Sequence, residues 1–154
     1  MDIFFIKAFP GHSNLTFSPA PIIRSDLEKL GNLDLHCIFN VADELKLIEG
    51  IEAKIANMVL LGRIKDYDVP VDMDYFICQI GYICDLLKEG KNVHVHCMGG
   101  RGRTGMVLAC IKIMLDKVDA ETALKITKKT CGGPETINQI EFVKKFANHA
   151  GKLI

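Results

Sequence analysis

The sequence predicts a single α/β domain with a central, mostly parallel β-sheet flanked by helices. Short apolar or β-branched runs alternate along the chain with segments of helical periodicity, which is typical of parallel sheets covered by helices. The 154 residues are 49% hydrophobic and 25% charged, so the chain can bury a core and is too apolar to be disordered. No linker-like stretch divides the sequence, and one domain is therefore predicted over residues 1–154.

The elements predicted in the first half of the chain are short. The segment 11–21 is assigned as a loop because it holds one Gly, two Pro and several small polar residues. Ser25 and Glu28 have the spacing of a capping box, which predicts that a helix opens there. In order, the predictions are a strand over 3–8, a loop over 11–21, a helix from Ser25 to near Gly31, a strand over 34–41, a helix over 43–50, a strand over 58–61 and a loop over 64–71.

The second half contains the stronger helical patterns. A helix starting at Asp72 or Asp74 carries one apolar stripe, formed by Phe76, Ile80, Ile83 and Leu87. Residues 106–115 are almost uninterruptedly apolar, which predicts a central, buried helix. The remaining predictions are a strand over 93–96, a glycine-rich loop over 97–105, a helix capped by Asp119 and ending near Lys129, a turn over 131–134 and an amphipathic helix over 135–149.

Composition excludes several functional classes. Nineteen basic and nineteen acidic residues give a formal net charge of zero, which argues against binding to nucleic acid or anionic membranes through bulk charge. No secretory leader and no membrane span is predicted. The six cysteines form no CxxC pair, which predicts reduced thiols in a cytoplasmic protein. Histidine and cysteine spacings predict no zinc site.

The most informative segment is the strand, loop and helix over residues 93–115. It places Cys97 at the carboxyl end of a strand and Arg103 at the start of a helix, with three glycines between them. Glycines let successive backbone N–H groups turn inward to form an anion nest, and a helix N-terminus adds donors and partial positive charge. Arg103 can donate two parallel hydrogen bonds to one oxyanion. The segment therefore predicts a phosphate-binding loop that needs no metal or cofactor.

The same electrostatic field predicts that Cys97 is a nucleophile. A thiol at a helix N-terminus beside Arg has its pKa lowered to about 3.5–7.5. Such a thiolate attacks at neutral pH without a dedicated base. The hydroxyl of Thr104 is predicted to donate a hydrogen bond to the sulfur as it leaves. A Walker-type nucleotide loop is disfavoured, because Arg103-Thr104 stand where that loop requires Lys followed by Ser or Thr.

The run His96-Cys97-Met-Gly-Gly-Arg-Gly-Arg103-Thr104 resembles the His-Cys-x5-Arg-Ser/Thr loop of cysteine-based protein tyrosine and dual-specificity phosphatases. Three further segments, 39–42, 64–70 and 135–139, are similar to stretches of the small dual-specificity members, and they occur in the expected order. The resemblance spans roughly residues 36–143. It implies the fold of that family, with the phosphate loop between a strand and the central helix.

The resemblance also implies roles for individual residues. Asp66 is favoured as the general acid, with Asp68 as the alternative, whereas Asp72 is most simply a helix cap. Gln139 would position the attacking water, although a polar residue on an exposed helix face explains it equally well. His96 would order the loop. The residues predicted to bind substrate with Arg103 are Met98, Gly99, Gly100, Arg101 and Gly102, of which Arg101 either faces solvent or contacts substrate.

The predicted function is thus that of a phosphomonoester hydrolase acting on phosphotyrosine, with phosphoserine and phosphothreonine as further substrates. It works through a phosphocysteine intermediate and is expected to be monomeric, with no nucleic-acid or membrane partner. Two alternatives stay open at this point. One is a phosphoinositide, inositol phosphate or RNA 5′-triphosphate phosphatase of the same superfamily, and the other is a non-catalytic phosphate-binding module.

Overall fold

A computed structural model describes residues 4–153 of the chain, and the side chains of residues 4–150. The predicted α/β class is confirmed, because the strands form one mostly parallel sheet flanked by helices. The strands are β1 (Lys7–Phe9), β2 (His12–Ser18), β3 (Leu35–Ala42), β4 (Ala56–Ile64) and β5 (Val93–His96). The helices are α1 (Arg24–Gly31), α2 (Glu49–Glu52), α3 (Met73–Lys88), α4 (Gly102–Asp116), α5 (Ala120–Cys131) and α6 (Ile137–Leu153), with a 3₁₀ helix (Asp43–Ile48) before α2.

The strand order β1-β2-β5-β3-β4 puts β5 at the centre of the sheet. β1 is antiparallel to β2, and every other pairing is parallel. The register sets His96, the last residue of β5, opposite both Ser18 of β2 and Asn40 of β3. The carboxyl ends of these three strands therefore meet at one edge of the sheet, where open α/β sheets bind their ligands.

Helix α4 forms the middle of the main hydrophobic core, as the apolar run predicts. Its residues 102–111 are all buried, and it contacts α3, α5, α6 and the central strands. The helix starts at Gly102, one turn before the apolar run 106–115, so Arg103 lies in its first turn, as predicted, together with Thr104. Within residues 4–153, no helix is both long enough and apolar enough to cross a bilayer.

The prediction of a loop over 11–21 is wrong, because β2 occupies most of that segment. Leu15 and Phe17 of β2 are fully buried. The intervening Thr16 and Ser18 bond through their hydroxyls to the buried ring of His94, at 2.8 and 2.7 Å. Polar residues are tolerated in this inner strand because their hydroxyls have a buried partner.

Three other boundaries differ from the predictions. The helix predicted to be capped by Ser25 is capped at Ile23, and the carboxylate of Asp26 accepts the Ile22 and Ile23 amides at 3.2 and 3.3 Å. The first strand begins at Lys7, and residue 3 of the predicted strand lies outside the described residues. The last helix begins at Ile137, because the side-chain oxygen of Gln139 accepts hydrogen bonds from the backbone amides of Glu135 and Thr136.

Candidate active site

The phosphate-loop segment connects β5 to α4 at the carboxyl edge of the sheet. Cys97 follows the last residue of β5 and is 2% exposed. The backbone amide of Gly100 points at its sulfur, with 3.3 Å between N and Sγ. Gly100 has a φ of +79°, and a Cβ there would lie 3.0 Å from the Pro19 nitrogen. Glycine is therefore required at this position for the amide to reach the sulfur.

Arg103 is buried in the first turn of α4, with 2% of its surface exposed. Its two terminal nitrogens each donate to one carboxylate oxygen of Glu44, and the second of these bonds is 2.7 Å long. One of them also donates to the Ile64 carbonyl at 2.8 Å. Burial lowers the pKa of Arg103, but the bond to Glu44 and the charges of Cys97, Glu44 and Asp66 more than offset this, so the net shift is upward. The guanidinium is therefore held charged and oriented.

Glu44 lies in the 3₁₀ helix after β3, and sequence reasoning did not assign it to the site. Its hydrogen bond with Arg103 lowers the pKa of the Glu44 carboxyl. An Arg paired through both terminal nitrogens is fixed in one plane. Glu44 thereby orients the guanidinium that is predicted to bind phosphate. The contact spans 59 residues of sequence, so no local motif could have revealed it.

The loop between β4 and α3 brings Asp66 to the site. Its carboxylate is 3.5 Å from an Arg103 nitrogen and 58% exposed, and it accepts the Tyr67 amide at 3.0 Å. Tyr67 has a φ of +62°, which turns the loop at this residue. The carboxylate of Asp68 instead accepts the Val69 amide at 2.8 Å. Asp72 caps α3, as predicted, by accepting the Tyr75 amide at 3.1 Å.

A cavity of about 210 Å³ opens above the phosphate loop. The structure thus brings together most of the residues that the sequence singled out. Asp66 lines the cavity, whereas Asp68 does not. Tyr67 and Glu135, to which the sequence analysis gave no role, also contribute to the wall. The lining residues are Asp66, Tyr67, Cys97, Met98, Gly99, Arg101, Gly102, Arg103 and Glu135.

His96 is part of a buried hydrogen-bonded chain behind the loop. Its Nδ1 lies 3.1 Å from the Cys97 carbonyl oxygen, and because a carbonyl only accepts, Nδ1 is the donor in this hydrogen bond. Its Nε2 is 2.6 Å from Oε2 of Glu52, and both side chains are fully buried. The other oxygen of Glu52 accepts the Asn40 amide at 2.9 Å. Glu52 is a second residue that the sequence analysis did not connect with the site.

Gln139 is 1% exposed, which rules out the alternative of a polar residue on an exposed helix face. Its Oε1 accepts the Glu135 and Thr136 amides at 3.0 and 3.3 Å, and its Nε2 donates to the Asp68 carbonyl at 3.2 Å. Gln139 thus ties the start of α6 to the loop that carries Asp66. Its side chain is not among those that line the cavity.

Thr104 is fully buried. Among the described residues, its hydroxyl has no hydrogen-bond partner. A buried hydroxyl without a partner carries a desolvation cost. The sequence-based role, donation to the sulfur, would give this group a partner during the reaction.

Close backbone packing brings Glu135 to the cavity. A Cβ at Gly105 would lie 2.5 Å from the Gly133 carbonyl carbon, and a Cβ at Gly133 would lie 2.0 Å from the Arg101 oxygen. Both positions therefore require glycine. The turn before α6 rests directly on the phosphate loop, and the Glu135 carboxylate lies 2.7 Å from the place of a Cβ on Gly102.

The remaining cysteines differ from Cys97 in their surroundings. Burial raises the pKa of Cys37 and of Cys84 to about 12, and that of Cys110 well above its ordinary value. Cys78 is exposed on α3. None of these four lines the cavity, and neither does the fifth, Cys131, at the end of α5. Cys97 alone among the described cysteines faces both the cavity and the guanidinium.

The sequence is similar to those of known and putative phosphatases. Residues 16–117 match a family described as polymorphic toxin system, DSP-PTPase phosphatase. Among similar curated proteins, a putative tyrosine phosphatase, 197R, of Invertebrate iridescent virus 6 is 30% identical over 83 residues, which cover 52% of this chain and 30% of the relative. Protein tyrosine phosphatase domain-containing protein 1 of Danio rerio is 32% identical over 82 residues, covering 48% of this chain and 11% of the relative. The match thus spans less than a third of either relative.

Solved structures are similar over nearly the whole chain. The active form of Tk-PTP superposes with a TM-score of 0.80 at 27% identity, covering 93% of this chain and 96% of that one. PTPMT1 in complex with PI(5)P gives a TM-score of 0.77 at 16% identity, covering 96% and 97%. At that identity the second likeness concerns the fold alone.

Proposed function

The chain belongs to the DSP-PTPase family of cysteine-based phosphatases, and we propose that it hydrolyses phosphomonoesters of proteins through a phosphocysteine intermediate. The observation that carries this proposal is that Cys97, Arg103 and Asp66 border one small cavity at the carboxyl edge of the sheet. A nucleophile, a fixed cation and a carboxyl group thus surround one space of about 210 Å³. Residues 1–154 would form one catalytic domain.

In the first step, the Cys97 sulfur attacks phosphorus. The S–P bond forms while the P–O bond to the leaving group breaks, and Asp66 gives its proton to the departing oxygen. Arg103 and the loop amides hold the equatorial oxygens, on which charge is concentrated in the transition state. The Gly100 amide, 3.3 Å from the sulfur, stabilises the thiolate before attack.

In the second step, water hydrolyses the phosphocysteine. Asp66, now ionised, takes a proton from the water while the water oxygen attacks phosphorus. The S–P bond then breaks, which releases phosphate and the Cys97 thiolate. We assign Gln139 to the geometry of this step, because its amide joins the backbone of the Asp66 loop to the start of α6. Thr104 donates to the sulfur as it leaves.

The substrate class we propose is a phosphoprotein, with phosphotyrosine as the preferred residue. Tyr67 borders the cavity with 63% of its surface exposed. An aromatic ring beside the phosphate site can pack against the ring of phosphotyrosine. A panel of phosphotyrosine and phosphothreonine peptides, a phosphoinositide and an RNA 5′-triphosphate tests this choice, and faster turnover of either non-protein substrate would overturn it.

The proposed chemistry is tested by Cys97→Ser, with Cys78→Ser as a matched control at an exposed site. We expect Cys97→Ser to lose turnover of para-nitrophenyl phosphate by at least about a thousandfold, because it lacks the thiolate. Tungstate binding, measured by calorimetry, persists because Arg103 and the loop amides remain. Retained turnover in Cys97→Ser would refute the assignment. An inactive natural chain that still binds tungstate would identify a phosphate-binding module instead.

A further inference from the structure

A basic groove of about 680 Å³ lies between α5 and α6, outside the catalytic cavity. Its floor is apolar, with Leu124 and Ile140 half-buried and Pro134 buried. Its walls carry four lysines, and we call it the lysine groove. Its lining lysines are Lys125, Lys128, Lys129 and Lys144.

The positive charge of the lysine groove is only partly compensated by neighbouring carboxylates. Among the residues that the structure describes, Glu121 is the one acidic residue in its lining. Lys125 and Lys144 make only long ion pairs with neighbours on their own helices, at 3.6 and 3.8 Å. Lys128 and Lys129 form no ion pair with any described residue. Because the chain as a whole has a net charge of zero, this is a local concentration of positive charge.

The lysine groove adjoins the catalytic cavity. Pro134 borders the groove, and the next residue, Glu135, borders the cavity. The turn containing Pro134 packs directly against the phosphate loop at Arg101. A substrate peptide whose phosphate occupies the cavity can therefore continue along the protein surface into the groove.

We propose that the lysine groove binds an acidic segment of the phosphoprotein substrate that also carries apolar side chains. Carboxylates would pair with the lysine walls, while apolar side chains would cover the floor and the aliphatic stems of the lysines. The groove falls within the range of about 300–1,000 Å³ that is usual for binding clefts. This inference rests on the proposed phosphatase function and adds a sequence preference to it.

The test compares two phosphotyrosine peptides of equal length. One carries Glu, Asp and Leu residues beside the phosphotyrosine, and in the other every acidic residue is replaced by Gln. The enzyme variant combines Lys128→Glu with Lys129→Glu. A charge-matched control combines Lys88→Glu with Lys145→Glu, both exposed and outside the groove. Para-nitrophenyl phosphate, which is too small to reach the groove, reports the basal activity.

We expect the natural chain to favour the acidic peptide by about 3- to 10-fold in kcat/KM, as several exposed charge pairs would give. The groove variant should lose this preference and the control should retain it, while all three turn over para-nitrophenyl phosphate equally. The preference should also shrink at high salt.

An equal rate on both peptides, or an equal loss in the control variant, would overturn the docking proposal while leaving the phosphatase proposal intact. So would salt-sensitive binding to anionic vesicles, or self-association of the chain, that depends on Lys128 and Lys129 without any peptide preference. No turnover of para-nitrophenyl phosphate by the natural chain would instead refute the proposed function itself.

Discussion

Glu52 and His96 form an enclosed contact, with 2.6 Å between Oε2 and Nε2 and no solvent exposure on either side chain. Glu52 ends the short helix α2, and His96 ends the central strand immediately before Cys97. The other ring nitrogen of His96 contacts the Cys97 carbonyl. Glu52 is therefore predicted to position Cys97 through His96.

We predict that Glu52→Gln folds but loses kcat by about tenfold or more, since a small displacement of a reacting group is costly. Glu52→Ala should also lose about 3–5 kcal/mol of unfolding free energy, because it leaves a buried partner unpaired. Urea unfolding and the pH profile of kcat with para-nitrophenyl phosphate measure the two effects. Glu49→Gln, an exposed change in the same helix, is the control. An unchanged kcat and pH profile in Glu52→Gln would contradict the positioning role.

Asp66→Ala should slow the turnover of phenyl phosphate far more than that of para-nitrophenyl phosphate. Phenolate is the poorer leaving group and depends on the proton, so we expect a loss of about 10²-fold or more for it. Asp68→Ala is the matched control, because its carboxylate bonds to the Val69 amide and does not line the cavity. A larger leaving-group dependence in Asp68→Ala would move the acid to that residue.

Iodoacetate at about pH 6 should alkylate Cys97 before any other cysteine. Burial raises the pKa of Cys37 and of Cys84 to about 12, so these thiols stay protonated. Cys78 is exposed but does not line the cavity that Arg103 borders. Peptide mapping by mass spectrometry follows each site, and added phosphate should protect Cys97 while leaving Cys78 unaffected. Preferential labelling of Cys37, or no protection by phosphate, would contradict this prediction.

The strand end and the helix start around the phosphate loop could be predicted because their signals are local. Cys97, the glycines and Arg103 lie within seven residues, between the end of β5 and the first turn of α4. Glu44 and Glu52 could not be predicted, because their partners are distant in sequence. Glu44 lies 59 residues before Arg103, and Glu52 lies 44 residues before His96. Their roles arise only when β3 and β5 pair in the sheet.

Strand β2 could not be recognised for a related reason. Its polar residues Thr16 and Ser18 are typical of a loop until His94 is placed between their hydroxyls. Gln139 likewise has the character of a surface residue until the loop at Asp68 closes over it. In both cases a polar side chain is buried because a distant element supplies its hydrogen bonds.

His94 predicts how the stability of the fold depends on pH. Burial, with a smaller contribution from His96, lowers the pKa of His94 well below its ordinary value of 6.5. The folded protein therefore keeps His94 neutral, whereas the unfolded chain binds a proton there as the pH falls below that value. The unfolding free energy should decrease in this range, by up to about 1.4 kcal/mol per pH unit. Above it His94 is neutral in both states and contributes no dependence.

Urea unfolding between about pH 8 and pH 5 measures this slope, above the range in which carboxylates titrate. His94→Gln keeps hydrogen-bonding capacity toward Thr16 and Ser18 but does not titrate. The number of protons taken up on unfolding, which the slope measures, should therefore be smaller by nearly one in this variant. His149→Gln, at an exposed site on α6, should leave the slope close to that of the natural chain. Equal slopes in His94→Gln and the natural chain would show that the pH dependence of stability does not come from His94.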